Sequence, residues 1–151
     1  MAPHEFAAYQ EYFVEDYGRD IASNYHRSLA SSLALAAAEL VESFPQGVPS
    51  ADNDLLCIEQ SREEGPQLLG YLWYTLQSDS HIAFIHDFFI YPQHRGNGHG
   101  KASIVALETQ LRSKAVSQVK LRVAHSNQRA LKLYKALGFN ITGINMAKML
   151  D

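Results

Sequence analysis

The stretch that most restricts the fold of this chain runs from residue 82 to residue 103 and reads IAFIHDFFIYPQHRGNGHGKAS. Its first ten residues are apolar on both faces except for His86 and Asp87, the pattern of a central strand covered on each side. Glycines at 96, 98 and 100 follow, and a helical pattern starts at once, with Ile104, Leu107 and Leu111 on one face. Glycine in such a loop costs conformational entropy, so the loop answers to positive φ angles or to close approach of another molecule. A strand that ends in a glycine-rich turn and opens a helix gathers unpaired backbone N–H groups and the positive end of the helix dipole at one spot. The expected occupant is a phosphate, with Arg95 and Lys101 as opposite charge. A tight turn whose glycines serve geometry alone is the alternative.

Upstream, apolar positions recur at helical spacing: Phe6, Tyr9, Phe13 and Tyr17, then Ile21, Tyr25, Leu29, Leu33, Ala36, Leu40 and Phe44. This predicts two helices with a break near Gly18 to Asp20. FPQGVPSADND closes the helical part, and strands are expected over 55–60, 67–76 and 82–91, joined by short polar links as an antiparallel meander. Downstream, a helix over 101–115 leads to a strand over 119–124, and such a crossover makes this strand parallel to the central one. NQRALKLYKALGF reads as a short helix with Asn127 as N-cap and a Schellman stop at Gly138 and Phe139, and residues 141–150 suit a last strand. The fold class is α/β of the α+β kind: a mixed, mostly antiparallel sheet with helices on both faces, in a single domain over 1–151.

Charge and motifs narrow the function. With 16 acidic and 13 basic residues the net charge is -3, which gives no global drive toward nucleic acid or an anionic membrane. No apolar run approaches the roughly 20 residues that span a bilayer, and MAPHEFAAYQ lacks the regions of a signal peptide, so a cytoplasmic protein is expected. Cys57, within LLCIE, reads as a small buried hydrophobe. The seven histidines show no metal-ligand spacing, so no metal is expected. A nucleoside triphosphate loop needs glycine where Arg95 stands and Ser or Thr where Ala102 stands, and Lys101 occupies the third glycine position of a dinucleotide motif.

RGNGHG, Arg95 to Gly100, resembles the R/Q-x-x-G-x-G/A motif of the GNAT superfamily of acyl-CoA-dependent N-acetyltransferases, and HSNQRALKLYKALGF resembles its second signature. The resemblance covers residues 82–150, and the two motifs stand in the order that fold requires. It implies a splayed parallel strand pair at the acyl-CoA site and acetyl-CoA as co-substrate. Main chain of Arg95, Gly96, Asn97, Gly98, His99, Gly100 and Lys101 is then expected around the pyrophosphate. Backbone of Phe89, Ile90 and Tyr91 would pair with the pantetheine arm and polarise the thioester carbonyl. Asn127 would touch the same arm, although a helix N-cap accounts for it equally. Tyr134 would be the general acid that protonates the departing thiolate, its plainer alternative being a core aromatic.

The general base is less legible. Relatives often carry an acid where Phe89 or Arg122 stands here, which weakens a peptide N-terminus as acceptor. Asp87 is the remaining carboxylate on the central strand, and burial of a carboxylate demands hydrogen bonds or a use. Asp87 is preferred over His86, which strand alternation places on the opposite face, and over His125; an ordered water chain or a purely structural Asp87 are alternatives. On the acceptor side Tyr12, Phe13, Tyr17, Tyr25 and His26 bring aromatic surface, and Glu15, Asp16 and Asp20 bring negative charge suited to a cationic amine. The expected activity is acetyl transfer from acetyl-CoA to a primary amine of a small molecule or protein by direct attack in a ternary complex. A non-catalytic acyl-CoA sensor and a scaffold without coenzyme affinity are the rival expectations; the sequence leaves the oligomeric state open, and the resemblance makes the segment 141–150 the candidate interface of a homodimer.

Overall fold

The computed structural model of the chain describes residues 1–77, 81–148 and 150. Its elements are α1 (Phe6–Tyr25), α2 (Leu29–Ser43), β1 (Asn53–Gln60), β2 (Gln67–Gln77), β3 (Ile82–Ile90), α3 (His99–Ser113), β4 (Gln118–Leu121) and α4 (Gln128–Ala136), with single 3-10 turns at Pro3–Glu5 and Pro92–His94. The strands pair in the order β1-β2-β3-β4, antiparallel except for the parallel β3 and β4. Strand alternation divides the core into two layers. Tyr71 and Trp73 of β2 pack with Tyr9, Phe13, Leu40 and Phe44 from the first two helices, whereas Leu72 and Tyr74 pack with Ile104, Leu107, Leu111 and Tyr134 from the last two. The mixed sheet with helices on both faces therefore stands as expected.

The first helix does not break at Gly18. α1 runs through it and ends at His26, which adopts the left-handed conformation (φ 52°) before Ser28 caps α2 by accepting from the Ser31 amide. Gly18 is buried, and a Cβ there would lie 2.7 Å from Leu33 Cδ2 and 3.1 Å from Leu33 Cα. The glycine lets α1 and α2 approach closely; it is a packing residue, not a breaker. Gly18→Val is expected to lower stability by about 1–3 kcal/mol through overpacking, measured by urea unfolding; an unchanged midpoint would mean that the helices part at no cost.

Two irregularities in β3 shape the site. The pairing with β2 skips a residue, Trp73 opposing Asp87 while Tyr74 opposes Ile85, so His86 is an extra, bulged residue. The pairing with β4 covers only Ile82↔Gln118 to Ile85↔Leu121, although β3 continues to Ile90. Beyond Ile85 the parallel pair parts, which shortens the strand expected over 119–124 and opens a gap. On the far side, α4 closes as anticipated: Asn127 accepts from the Ala130 amide, and the Phe139 and Gly138 amides bond the carbonyls of Tyr134 and Lys135. The expected last strand is not formed. Residues 140–148 and 150 have no regular structure, and Ile144 and Met146 are 77% and 93% exposed, so within the chain this segment has no ladder to join.

Candidate active site

The gap between β3 and β4 is lined by backbone whose direction follows from register. The Tyr91 amide donates to the Leu69 carbonyl at 2.9 Å, so in the antiparallel ladder residues 91, 89 and 87 point their backbone groups at β2. Phe88 and Ile90 point theirs the other way, into the gap. The N–H groups of Phe88 and Ile90 are therefore the donors aimed into the opening. Of the backbone expected to serve there, Ile90 is suitably directed, whereas Phe89 and Tyr91 are committed to the sheet.

The glycine loop meets the same gap. Gly96 and Gly98 have φ of 84° and 80°, the left-handed region that side chains resist, and Gly98 is the N-cap of α3 with no side-chain cap. The first intrahelical bond is Ala102 N–H to Gly98 C=O, so the amides of His99, Gly100 and Lys101 lie at an open helix N-terminus. Arg95 lines the same cleft as the glycine turn; its Nε donates to the Ile90 carbonyl at 2.6 Å and its guanidinium lies 5.3 Å from the Phe89 ring centre. It braces the loop against the end of β3. Asn97 and Lys101 are exposed, and Asn127 lines the same cleft.

Asp87 stands at the wall of this cleft, between β3 and α1. Tyr9 donates to Oδ2 at 3.2 Å and Tyr12 to Oδ1 at 3.1 Å. Burial pushes its pKa up to about 7, against the opposing pull of the two phenols and the Phe88 amide, and the nearby Asp16 charge adds to the rise. The phenols respond in kind: burial first and the Asp87 charge second hold both well above the usual tyrosine range. Tyr134, 8% exposed on α4, is likewise raised by burial and then by Asp87, which places the two groups within electrostatic reach across the cleft. Phe89 lies on the Asp87 side of β3, its ring 4.0 Å from that of Tyr12.

His86 corrects a sequence expectation. The bulge turns it to the α1 side, where it stacks on Trp73 at 4.6 Å and its Nε2 lies 2.9 Å from Thr75 Oγ1. Burial lowers its pKa, and its contacts are structural. His125 is exposed and lines the cleft. Of the acids, Asp16 and Asp20 line the cleft and burial raises both, whereas Glu15 pairs with Arg19 at 2.8 Å on the solvent side. Arg122 reaches across to donate to Tyr25 Oη at 2.5 Å, tying the segment after β4 to the end of α1. Cys57 is half-buried and burial pushes its thiol up to about 11, in keeping with an inert small hydrophobe. Among the described residues no three His, Cys, Asp or Glu side chains converge on a metal position, and no helix is long and apolar enough to cross a membrane.

Sequence reasoning missed the partners of Asp87. Tyr9 reads as one more apolar position of α1, and Tyr12 as acceptor surface. Their spacing of three does put both on one helix face, but nothing local tells which strand residue that face meets.

The family model described as Acetyltransferase (GNAT) family matches residues 19–139. Over 152 residues the chain is 27% identical to the uncharacterized N-acetyltransferase YycN of Bacillus subtilis, covering 99% of this chain and 96% of that protein. The crystal structure of YycN matches with a TM-score of 0.90 at 28% identity, over 99% of this chain and 95% of that one. The PaiA N-acetyltransferase of Thermoplasma acidophilum, solved in complex with coenzyme A, shares the fold with a TM-score of 0.66 at 16% identity, over 96% of this chain and 89% of that one.

Proposed function

The chain belongs to the GNAT acetyltransferase family, and from that premise we propose that it transfers acetyl from acetyl-CoA to a primary amine by direct attack in a ternary complex. The acceptor is a small molecule or an exposed protein amine. The observation that carries the reading is Asp87, a carboxylate with a pKa of about 7, held by two phenols at the wall of the gap between β3 and β4.

Each residue then has work that its chemistry fits. The open amides of His99, Gly100 and Lys101, with the left-handed turns at Gly96 and Gly98, suit a pyrophosphate. Acetyl-CoA supplies the activated thioester; that PaiA is solved with coenzyme A supports the assignment. The Ile90 N–H faces the gap and would steady negative charge on the acyl oxygen. Aliphatic amines are cationic at neutral pH, with reference pKa near 10, so the attacking nitrogen must shed a proton, and Asp87 accepts it. Tyr134 stays protonated and donates to the leaving sulfur. Asp16 and Asp20 present negative charge to an approaching cation.

The test is a thermal-shift titration with acetyl-CoA, followed by thiol release with lysine, 1,4-diaminobutane, spermidine, tyramine and a lysine-containing peptide. A shift with turnover on one of them supports the reading, a shift without any turnover favours an acyl-CoA sensor, and no shift with folded protein removes the coenzyme assignment. Tyr134→Phe should lower kcat about 10- to 100-fold with KM for acetyl-CoA nearly unchanged; a rise in KM at constant kcat would assign Tyr134 to packing instead.

A further inference from the structure

The two phenols that hold Asp87 are not equivalent. Tyr9 and Tyr12 stand three residues apart on one face of α1, and each takes one carboxylate oxygen, Tyr9 donating to Oδ2 at 3.2 Å and Tyr12 to Oδ1 at 3.1 Å. Tyr9 is fully buried within the core, whereas Tyr12 is half-buried and lines the cleft with Asp87 and Phe89. Asp87 and Phe89 alternate onto the same face of β3, so the Phe89 ring meets the same side of α1 as the carboxylate. Its centre lies 4.0 Å from that of Tyr12, and the Arg95 guanidinium stands 5.3 Å from it. The Tyr12 ring also stacks on Tyr71 at 5.6 Å, and Tyr71 Oη lies 3.1 Å from Tyr91 Oη. A tyrosine side chain has two torsions to fix, and contact with two aromatic rings restrains both, so the hydroxyl is held on Asp87 by packing.

We infer that Tyr12 and Phe89 are positioning residues of the proton acceptor: Phe89 fixes the Tyr12 ring, and the Tyr12 hydroxyl fixes the Asp87 carboxylate for the incoming amine. The inference rests on Asp87 being the base. A carboxylate turns freely about its Cβ–Cγ bond, and a donor on each oxygen arrests that rotation. Each oxygen still keeps lone-pair capacity for an N–H. Neither positioning residue takes the proton itself. Burial first and the Asp87 charge second keep Tyr12 protonated, and Phe89 has no polar side-chain atom. The Tyr12 hydroxyl also acts on the basicity of Asp87. Burial pushes that pKa up, and Tyr12 is the largest opposing pull, ahead of Tyr9, so loss of this hydroxyl raises it further. Tyr12→Phe leaves the other groups around the carboxylate in place. Tyr9 and Asp16 on α1 and Tyr134 on α4 bear on Asp87, with His86 beside it on β3 and Arg95 along the same cleft; Trp73, opposite on β2, does not titrate.

The experiment compares Tyr12→Phe, Phe89→Leu, Phe89→Tyr, the Tyr12→Phe/Phe89→Leu double variant and Asp87→Asn with the wild type. kcat and kcat/KM for the fastest amine of the panel above are followed between about pH 6 and 9 at saturating acetyl-CoA. The amine's own titration is common to all variants, so a displaced limb belongs to the protein. Tyr12→Phe should move the rising limb up by about one pH unit, lower the plateau kcat about 10-fold and leave KM for acetyl-CoA unchanged. Phe89→Leu should move the limb in the same direction by a smaller amount, and Phe89→Tyr, which keeps the aromatic plate, should follow the wild type. In the Tyr12→Phe background, Phe89→Leu should move the limb no further, because the hydroxyl through which it acts is already gone. A limb that stays in place in Tyr12→Phe overturns the inference, as does full additivity in the double variant, which would make Phe89 a packing residue. A raised KM for the amine with kcat and limb intact would make Tyr12 an acceptor contact and equally overturn it. Should Phe89→Leu fail to fold, Tyr12→Phe, which removes a single oxygen, still decides. Asp87→Asn separates the two levels: near-normal activity there removes the base and its positioning together, whereas an inactive Asp87→Asn beside an unmoved limb in Tyr12→Phe removes the positioning alone.

Discussion

Asp87→Asn is expected to lower kcat by about 10²- to 10⁴-fold, the usual worth of a positioned general base, and to erase the rising limb of the pH profile. In the wild type, kcat/KM should climb with pH and level off above about 7, because below that value Asp87 is protonated and cannot accept. The surrounding groups leave this limb clear. Tyr9, Tyr12 and Tyr134 are held protonated by burial and by the Asp87 charge, and His86 is pushed toward neutrality by burial. Asp16 is raised by burial and partly restored by Arg95 and Tyr12, and it bears on Asp87 by repulsion. Stability carries a second signature. The folded pKa lies above the unfolded reference of 3.8, so the folded state holds this proton more tightly. The stabilisation from Asp87 is therefore complete below about pH 4 and is lost as pH rises through 7. Asp87→Asn should melt at or above the wild type at pH 8, with the difference shrinking toward pH 4; roughly 4 kcal/mol bounds the gain. Wild-type kcat with an unaltered limb would exclude Asp87 as the base.

Gly98→Glu should abolish the acetyl-CoA thermal shift while leaving the protein folded. Nothing lies within 4 Å of a Cβ built at Gly98, so packing is untouched, and the cost is the left-handed backbone at φ 80°. That is about 1–2 kcal/mol for an ordinary side chain, a fall of a few degrees in Tm. The larger effect is on the ligand. A carboxylate at the cap of α3 occupies the open amides and repels a pyrophosphate, and a loss of binding of about 100-fold or more is expected. Gly98→Asn separates the two causes, since asparagine tolerates left-handed backbone and carries no charge. It should keep most of the shift. Equal binding by wild type and Gly98→Glu would place the pyrophosphate elsewhere.

Both variants probe residues picked out by local signals, and the difference between what was and was not legible is physical. The loop at 95–101, the cap at Asn127 and the hydrogen bonds that close α4 at Phe139 are made among residues within one or two turns of each other. Their chemistry is written in adjacent letters. The alternation of β2 between the Tyr71 layer and the Leu72 layer is equally local, and with the crossover it leaves few sheets to choose from.

What sequence reading misassigned depends on partners far along the chain. Gly18 looked like a breaker because Leu33, which needs its space, arrives from another helix. His86 looked opposed to Asp87 because a bulge is a mismatch between two strands, and one extra residue reverses a face. By itself, then, the sequence determined the elements from α1 to α4 and their order, the glycine turn that opens α3 and the carboxylate on the central strand, but not the irregular course of residues 140–148. Only the tertiary structure decided that Tyr9 and Tyr12, 78 and 75 residues away, enclose that carboxylate. Burial of a charge and its hydrogen bonds are properties of the packed neighbourhood, and the upward push of burial on the Asp87 pKa exists only once α1 lies against β3.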